Sequence, residues 1–260
     1  MKKKNVLETK GFAVFMLIFG ILGLLLMAHH ICSYEAILRP RMDFLIEKKI
    51  ITNSISGITF LRMFTNDSNV FVDIYLILYA IGIFGSKPLY KFTHNEWLRG
   101  AITLYICVTG IIYFFVLLPF SEMFPMEKGI WFSNVINFWN HLITPVFFVG
   151  LWFQPVVFEK IPKVKYALYD LIFPILYFIV CIILGAKDGF YPYPFLNGRQ
   201  MWDMLFKGTP YNPTLGLLLL VAAVVIFSGI FFGVACALGA IHNKRVEKLT
   251  EEKESLPNNK

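Results

Sequence analysis

The chain has 260 residues, of which 57% are hydrophobic and 16% are charged, and its formal net charge is +7. The apolar share exceeds the roughly 45–50% of an ordinary soluble domain, and the mean hydropathy is +0.63. The charges cluster between long apolar runs, whereas a soluble bundle spreads them along amphipathic helices. A soluble domain is therefore excluded, and the basic excess indicates orientation in a membrane instead of nucleic-acid binding.

Six apolar runs are long enough to cross a membrane, which takes about 20 residues for a hydrocarbon core of about 30 Å. In chain order they cover residues 11–31, 58–84, 101–120, 131–153, 166–186 and 214–241. They predict an all-α, polytopic membrane protein with six transmembrane helices in one domain, residues 1–242. Residues 243–260 have little apolar surface, which predicts a disordered cytoplasmic tail.

The first run follows a lysine cluster but offers no small-x-small cleavage site, so we interpret it as a membrane span and not as a signal peptide. Lysines and arginines in the loops set the orientation of such a chain. With the N-terminus inside, 15 of them lie on the cytoplasmic side and 9 outside. The sequence therefore predicts a multi-pass protein of the cell membrane with both termini in the cytoplasm.

The four cysteines lie in or beside four different apolar runs, at Cys32, Cys107, Cys181 and Cys236. No CxxC pair or other metal-ligand spacing joins them, so we interpret them as packing residues and predict neither a metal nor a cofactor. The chain carries no nucleotide-binding motif either, so a pump would need another protein as its motor.

Two segments between the runs have two interpretations each. Residues 34–57 place four basic side chains among apolar ones, which fits an amphipathic helix on the outer interface or a solvated loop. The segment YPYPFLN, residues 191–197, contains two prolines that forbid a continuous helix. It fits an aromatic belt at the outer interface, or a cap over a lipid-facing pocket.

Polar residues inside a span are costly unless they face the bundle interior, so they indicate where function lies. The second run carries a polar stripe at helical spacing, formed by Arg62, Thr65, Asn66, Asn69 and Asp73. The fourth run carries another, formed by Asn134, Asn137, His141 and Thr144. In the predicted topology Thr65 and His141 lie at similar depth, which would let them meet. Alternatively, each bonds only to its own or a neighbouring helix.

Several short motifs occur in an order that resembles bacterial relatives of the androgen-induced six-span hydrolases. The resemblance covers about residues 59–197. It is carried by FTNDSN at 64–69, NFWNH at 137–141 with Pro145 beyond, Asp170 with Pro174 and Tyr177, and YPYPFLN at 191–197. It implies an intramembrane threonine hydrolase that cleaves fatty-acid esters of hydroxy fatty acids, with Thr65 as nucleophile and His141 as its partner.

The resemblance also matches Asn69 and Asn137 to asparagines of the two motifs. A threonine hydroxyl is a weak nucleophile and needs a base, a task that a histidine with a pKa near 6.5 suits. Side-chain N–H groups of Asn69 or Asn137 are candidates to hold the oxyanion. Arg62 is a candidate to hold a carboxylate or phosphate head group, and Asp73 to orient a partner.

Three functions remain open from the sequence. The first is a membrane-embedded esterase or acyl hydrolase whose substrate is a membrane lipid or fatty-acid ester. The alternative is a six-span substrate-binding or transport component, in which the polar stripes bind a solute without cutting it. In the third, a structural scaffold, the stripes only hold helices together.

The predicted topology is testable by cysteine accessibility in intact cells. In a background without the native cysteines, a cysteine at Lys128 should react with an impermeant reagent, because the fourth run begins outside. A cysteine at Asn258 should stay protected, since the tail is predicted to lie in the cytoplasm. Reaction at Asn258, or protection at Lys128, would require a different topology.

Overall fold

The computed structural model describes residues 6–32, 59–117, 131–154 and 159–255. Within these ranges the chain forms helices and no strand. The α-helices are α1 Lys10–Cys32, α2 Phe64–Phe84, α3 Lys87–Thr93, α4 Glu96–Ile112, α5 Trp131–Phe138, α6 Thr144–Trp152, α7 Lys163–Asp170, α8 Ile172–Asp188, α9 Gly198–Leu205 and α10 Pro213–Ser255.

Six helical stretches are long and apolar enough to cross a membrane, which confirms the predicted all-α, six-span fold. They are Lys10–Cys32, Phe64–Phe84, Glu96–Phe115, Val135–Trp152, Lys163–Asp188 and Pro213–Glu252. The second starts later than the sequence predicted, because a short 3-10 helix, Thr59–Arg62, precedes α2. The segment 34–57 lies outside the described residues.

Prolines account for the breaks inside two of the spans, because proline has no N–H and its ring collides with the carbonyl four residues earlier. Before Pro145 the helix widens into a π-helical turn, Trp139–Ile143, that joins α5 to α6. Before Pro174 the chain breaks between α7 and α8, and the Asp170 carbonyl accepts a hydrogen bond from the Tyr105 hydroxyl at 3.0 Å. A second π-helical turn, Tyr113–Leu117, follows α4.

Two apolar clusters fill the interior, and α2 and α4 contribute to both. One cluster packs α1 against α2, α4 and α6, with Met16, Val72, Ile106 and Phe148 at its centre. The other joins α4, α7, α8 and α10 to the start of α2, and contains Phe64, Leu104, Phe178, Leu196 and Phe231. The start of α2 therefore lies inside the second cluster.

The tail that the sequence predicted to be disordered is helical as far as Ser255, because α10 continues beyond the sixth apolar run. Asn243 accepts a hydrogen bond from the Ile161 amide at 2.8 Å and donates one to its carbonyl at 2.9 Å. Glu247 pairs with Lys160 at 2.7 Å. These contacts hold the extension against the segment before α7.

Glu96 lies buried at the start of α4, at the end of the bundle where α2 finishes. One oxygen of its carboxylate accepts a hydrogen bond from the Trp152 indole at 3.1 Å and lies 3.2 Å from Nδ1 of His242. The other lies 3.5 Å from Nη1 of Arg99. The remaining ring nitrogen of His242 lies 2.8 Å from the Glu159 carbonyl. This polar network joins α4, α6 and α10.

Arg99 extends the network to the end of α6. Its Nη2 donates to the carbonyls of Leu151 and Gln154, at 2.6 and 2.7 Å. The Leu151 carbonyl lies in the last turn of α6 and also accepts a hydrogen bond from the Gln154 amide at 2.9 Å, and Gln154 follows the helix. Arg99 therefore connects a buried carboxylate to the backbone at the end of α6.

We expect Arg99→Met to lower the stability by about 3–5 kcal/mol, because it removes the guanidinium beside the buried Glu96 carboxylate and its hydrogen bonds to two carbonyls. The measurement is the thermal unfolding midpoint of the purified protein in detergent. The matched control, Lys160→Met, removes a cation from an exposed pair and should leave the midpoint close to that of the parent. Equal midpoints for Arg99→Met and the parent would contradict the expected role of the network.

Candidate active site

Thr65 lies buried in the first turn of α2, which begins at Phe64 after the extended residue Met63. The amides of Asn66 and Asp67 both bond to the Met63 carbonyl. A cavity of about 20 Å³, large enough for a water molecule, adjoins Thr65. Most of its wall is aromatic, and the lining residues are Phe64, Thr65, Thr109, Ile112, Tyr177, Phe178, Tyr193, Phe195, Phe227 and Phe231.

Tyr193 is a neighbour of Thr65 that the sequence did not single out as an individual residue. Its phenol group lies buried beside the Thr65 hydroxyl and the first backbone amides of α2. Burial raises the pKa of Tyr193 to about 12, and hydrogen bonds with the Thr65 side chain and with these amides act in the opposite direction. The only sequence signal was its place in the YPYPFLN segment, because the polar stripes covered the membrane spans alone.

Asn69 links α2 to the fourth span. Its Nδ2 donates to the Thr65 carbonyl at 2.8 Å and to the Asn140 carbonyl at 3.0 Å. The backbones next to Thr65 and His141 therefore approach within two hydrogen-bond lengths of each other. Both amide hydrogens of Asn69 are used in these bonds, so they are not free to hold an oxyanion in this conformation.

His141 lies in the π-helical turn Trp139–Ile143, a kind of irregularity that is frequent at functional sites. Its Nδ1 lies 2.9 Å from the Asn137 carbonyl, and its ring stacks on Tyr113 with 4.0 Å between centroids. A carbonyl only accepts, so in the neutral ring Nδ1 carries the hydrogen and Nε2 carries the lone pair. Asn137 donates to the Tyr113 hydroxyl at 2.9 Å.

The two predicted catalytic residues belong to one polar region but do not touch. Among the described residues, no hydrogen bond joins the Thr65 hydroxyl to the His141 ring. Next to Thr65, the hydroxyl of Ser68 bonds to the Thr65 carbonyl at 3.0 Å and to the Thr109 hydroxyl at 2.8 Å. Thr109 is thus occupied, and Thr65 is the threonine of the cavity wall whose hydroxyl faces Tyr193.

Arg62 lies one turn before Thr65, beside the end of α8. Its Nη2 forms an ion pair with Asp188 at 2.6 Å, and its carbonyl accepts a hydrogen bond from the Tyr177 hydroxyl at 2.6 Å. Nη1 is buried and has no hydrogen-bond partner among the described residues. Arg62 therefore keeps one buried donor close to the cavity.

Asp73 shares the polar stripe of Thr65, but it faces α1 and not the cavity. It is buried, and a methyl group added at Gly23 would overlap its carboxylate. The Asp73 carbonyl lies 2.6 Å from the position that a methyl group at Gly20 would take. Two glycines of α1 thus make room for Asp73, which separates it from the other predicted site residues.

Within the described ranges, no cluster of three or more histidine, cysteine or acidic side chains is arranged to hold a metal ion. The polar region around Thr65 is built from hydroxyl and amide groups and from one imidazole. No family model, curated protein or solved structure matches this chain. The resemblance to six-span hydrolases therefore stays a prediction.

The fit between Asp73 and α1 gives a testable prediction. Gly23→Ala should destabilise the protein by about 1–3 kcal/mol, because the added methyl group would overlap the Asp73 carboxylate. Gly150→Ala is the control, since a methyl group there meets nothing within 4 Å. Thermal unfolding in detergent measures both. Adding Asp73→Ala to Gly23→Ala should recover stability, and a double variant no more stable than Gly23→Ala would contradict this account.

Proposed function

We propose that this chain is an intramembrane threonine hydrolase that cleaves fatty-acyl esters of membrane lipids. The observation that carries the proposal is the position of Thr65, whose side chain forms part of the wall of an aromatic cavity inside the bundle. Asn69 connects its turn to the π-helical turn of His141. The proposed nucleophile and its base thus belong to one region, and the nucleophile adjoins an aromatic cavity.

The surroundings of Thr65 favour ester chemistry in two ways. The aromatic wall of Phe64, Phe178 and Phe231 offers an apolar surface to a hydrocarbon chain. Thr65 lies in the first turn of α2, where the positive end of the helix dipole stabilises negative charge. Charge develops at this point when the hydroxyl attacks a carbonyl carbon.

In the proposed reaction, Oγ1 of Thr65 attacks the ester carbonyl carbon and its proton passes through one water molecule to Nε2 of His141. The tetrahedral intermediate collapses, the bond to the alcohol oxygen breaks, and His141 returns the proton to the departing alcohol. A second water molecule then hydrolyses the acyl-threonine and regenerates the hydroxyl. Asn69 and Asn137 position the reacting residues. Asn69 donates to the backbone carbonyls of Thr65 and Asn140, and the Asn137 carbonyl accepts a hydrogen bond from Nδ1 of His141.

The proposal includes the orientation in the cell membrane with both termini in the cytoplasm. In that orientation α2 begins near the outer surface, so Thr65 lies in the outer half of the bilayer. Arg62 and Asp188 then lie at the outer interface, where lipid head groups are found. The substrate would be a lipid ester of the outer leaflet, with its acyl chain reaching the aromatic cavity.

Substitution of the proposed nucleophile and base tests this function. Thr65→Ala and His141→Ala should each insert normally and lose hydrolysis of p-nitrophenyl octanoate and labelling by a fluorophosphonate probe. The double variant should be no less active than either single variant, because nucleophile and base act as a unit. Rates are measured on the purified protein in detergent or liposomes.

Thr103→Ala is the matched control. Thr103 is also buried, but its hydroxyl bonds to the Arg99 carbonyl of its own helix at 2.7 Å, away from the cavity. This variant should keep its activity and its labelling. A Thr65→Ala protein that hydrolyses the ester as fast as the parent would overturn the proposal. A parent protein that neither hydrolyses the ester nor takes the probe would instead favour the alternative function, a substrate-binding or transport component.

A further inference from the structure

Tyr193 is positioned over Thr65 by the conformation and packing of its own segment. It is extended, with φ −136° and ψ 141°, as expected for a residue before proline. Its ring stacks on Phe195 with 5.2 Å between centroids and 5° between planes, and Phe195 stacks in turn on Phe227 of α10 at 4.0 Å. The phenol group is thereby directed toward the first turn of α2, where Thr65 and the cavity lie.

We infer that Tyr193 is a catalytic residue of this site, and that its hydroxyl donates the hydrogen bond that stabilises the oxyanion on the substrate. The inference rests on the proposed function, since it concerns the ester that Thr65 attacks. Tyr193 and Thr65 line the same cavity, so a carbonyl carbon in contact with the Thr65 hydroxyl has its oxygen within reach of Tyr193. Tyrosine is an established donor in oxyanion holes.

The phenol of Tyr193 has the properties that this role requires. Because burial raises the pKa of Tyr193 to about 12, the hydroxyl keeps its proton at neutral pH and remains a donor. The side chain is 8% exposed, so little water competes for the hydrogen bond. Among the side-chain donors of α2, Asn69 has both amide hydrogens already bonded to the Thr65 and Asn140 carbonyls.

The attack on the ester uses the side chains of Thr65, Tyr193 and His141. As Oγ1 of Thr65 bonds to the carbonyl carbon, the electron pair of the C=O π bond moves to the oxygen. This oxygen accepts a hydrogen bond from Tyr193, which keeps its proton throughout. When the intermediate collapses, the electron pair returns, the bond to the alcohol oxygen breaks, and the proton held by His141 goes to the alcohol.

The test compares Tyr193→Phe with the parent and with Tyr211→Phe. Tyr211, like Tyr193, lies between α8 and α10, but it does not line the cavity. It therefore controls for the loss of a tyrosine hydroxyl. For p-nitrophenyl octanoate, Tyr193→Phe should lower kcat by about 10²–10³-fold and leave KM close to the parental value. Tyr211→Phe should change neither constant. Thermal midpoints are measured alongside the rates.

Replacement of Tyr193 by a polyfluorinated tyrosine provides a second measurement that a purely structural role would not affect. The fluorinated ring keeps the shape of tyrosine, but its hydroxyl is more acidic. If the hydroxyl must be protonated, the rate should fall at an alkaline pH at which the parent is still active. An unchanged pH profile would overturn the inference.

The remaining outcomes separate the inference from the proposed function. If Thr65→Ala is inactive and Tyr193→Phe keeps the parental kcat, the inference is wrong and the hydrolase proposal stands. If Thr65→Ala is as active as the parent, both are wrong, since the oxyanion was defined by attack from Thr65. If Thr65→Ala is inactive and Tyr193→Phe is slow at an unchanged midpoint, both are supported.

Discussion

A bundle in lipid has no water with which to satisfy its polar groups, so those in its interior must pair with one another. Glu96 shows how this constraint organises one end of the protein. Its carboxylate is surrounded by Arg99 of the same helix, Trp152 of α6 and His242 of α10. Arg99 in turn donates to the Leu151 and Gln154 carbonyls at the end of α6. The relative positions of three helices therefore depend on one buried carboxylate.

The same constraint acts at the other end, where it builds the candidate site. Asn69 donates both amide hydrogens to backbone carbonyls, one in α2 and one in the fourth span. The Asn137 side chain donates a hydrogen bond to the Tyr113 hydroxyl, and the Asn137 backbone carbonyl orients the ring of His141. The side-chain amides of Asn69 and Asn137 thus hold the two helical segments of the site in place. The hydroxyl of Thr65 is left at the cavity wall, where a nucleophile would be needed.

The irregular backbone near the site has a chemical cause. Pro145 forbids a regular turn at His141, and the π-helical turn that results presents the histidine next to Tyr113. The prolines around Tyr193 keep its segment from forming a continuous α-helix, and aromatic stacking on Phe195 holds it in place. In both cases proline sets the local conformation, and packing against neighbouring helices selects where the side chain points.

The sequence by itself determined the six spans, because run length and apolar composition dictate which segments cross a bilayer. The breaks at Pro145 and Pro174 were not predicted from the sequence, although the missing N–H of proline accounts for them. Only the tertiary structure decided that Tyr193 faces Thr65, that Asn69 reaches Asn140, and that Asp73 turns toward α1. Helical spacing shows which residues share a face, but the rotation of each helix about its axis depends on how its neighbours pack. For the same reason the sequence did not reveal Glu96 and His242 as partners, since they lie far apart in the chain and only packing brings them together.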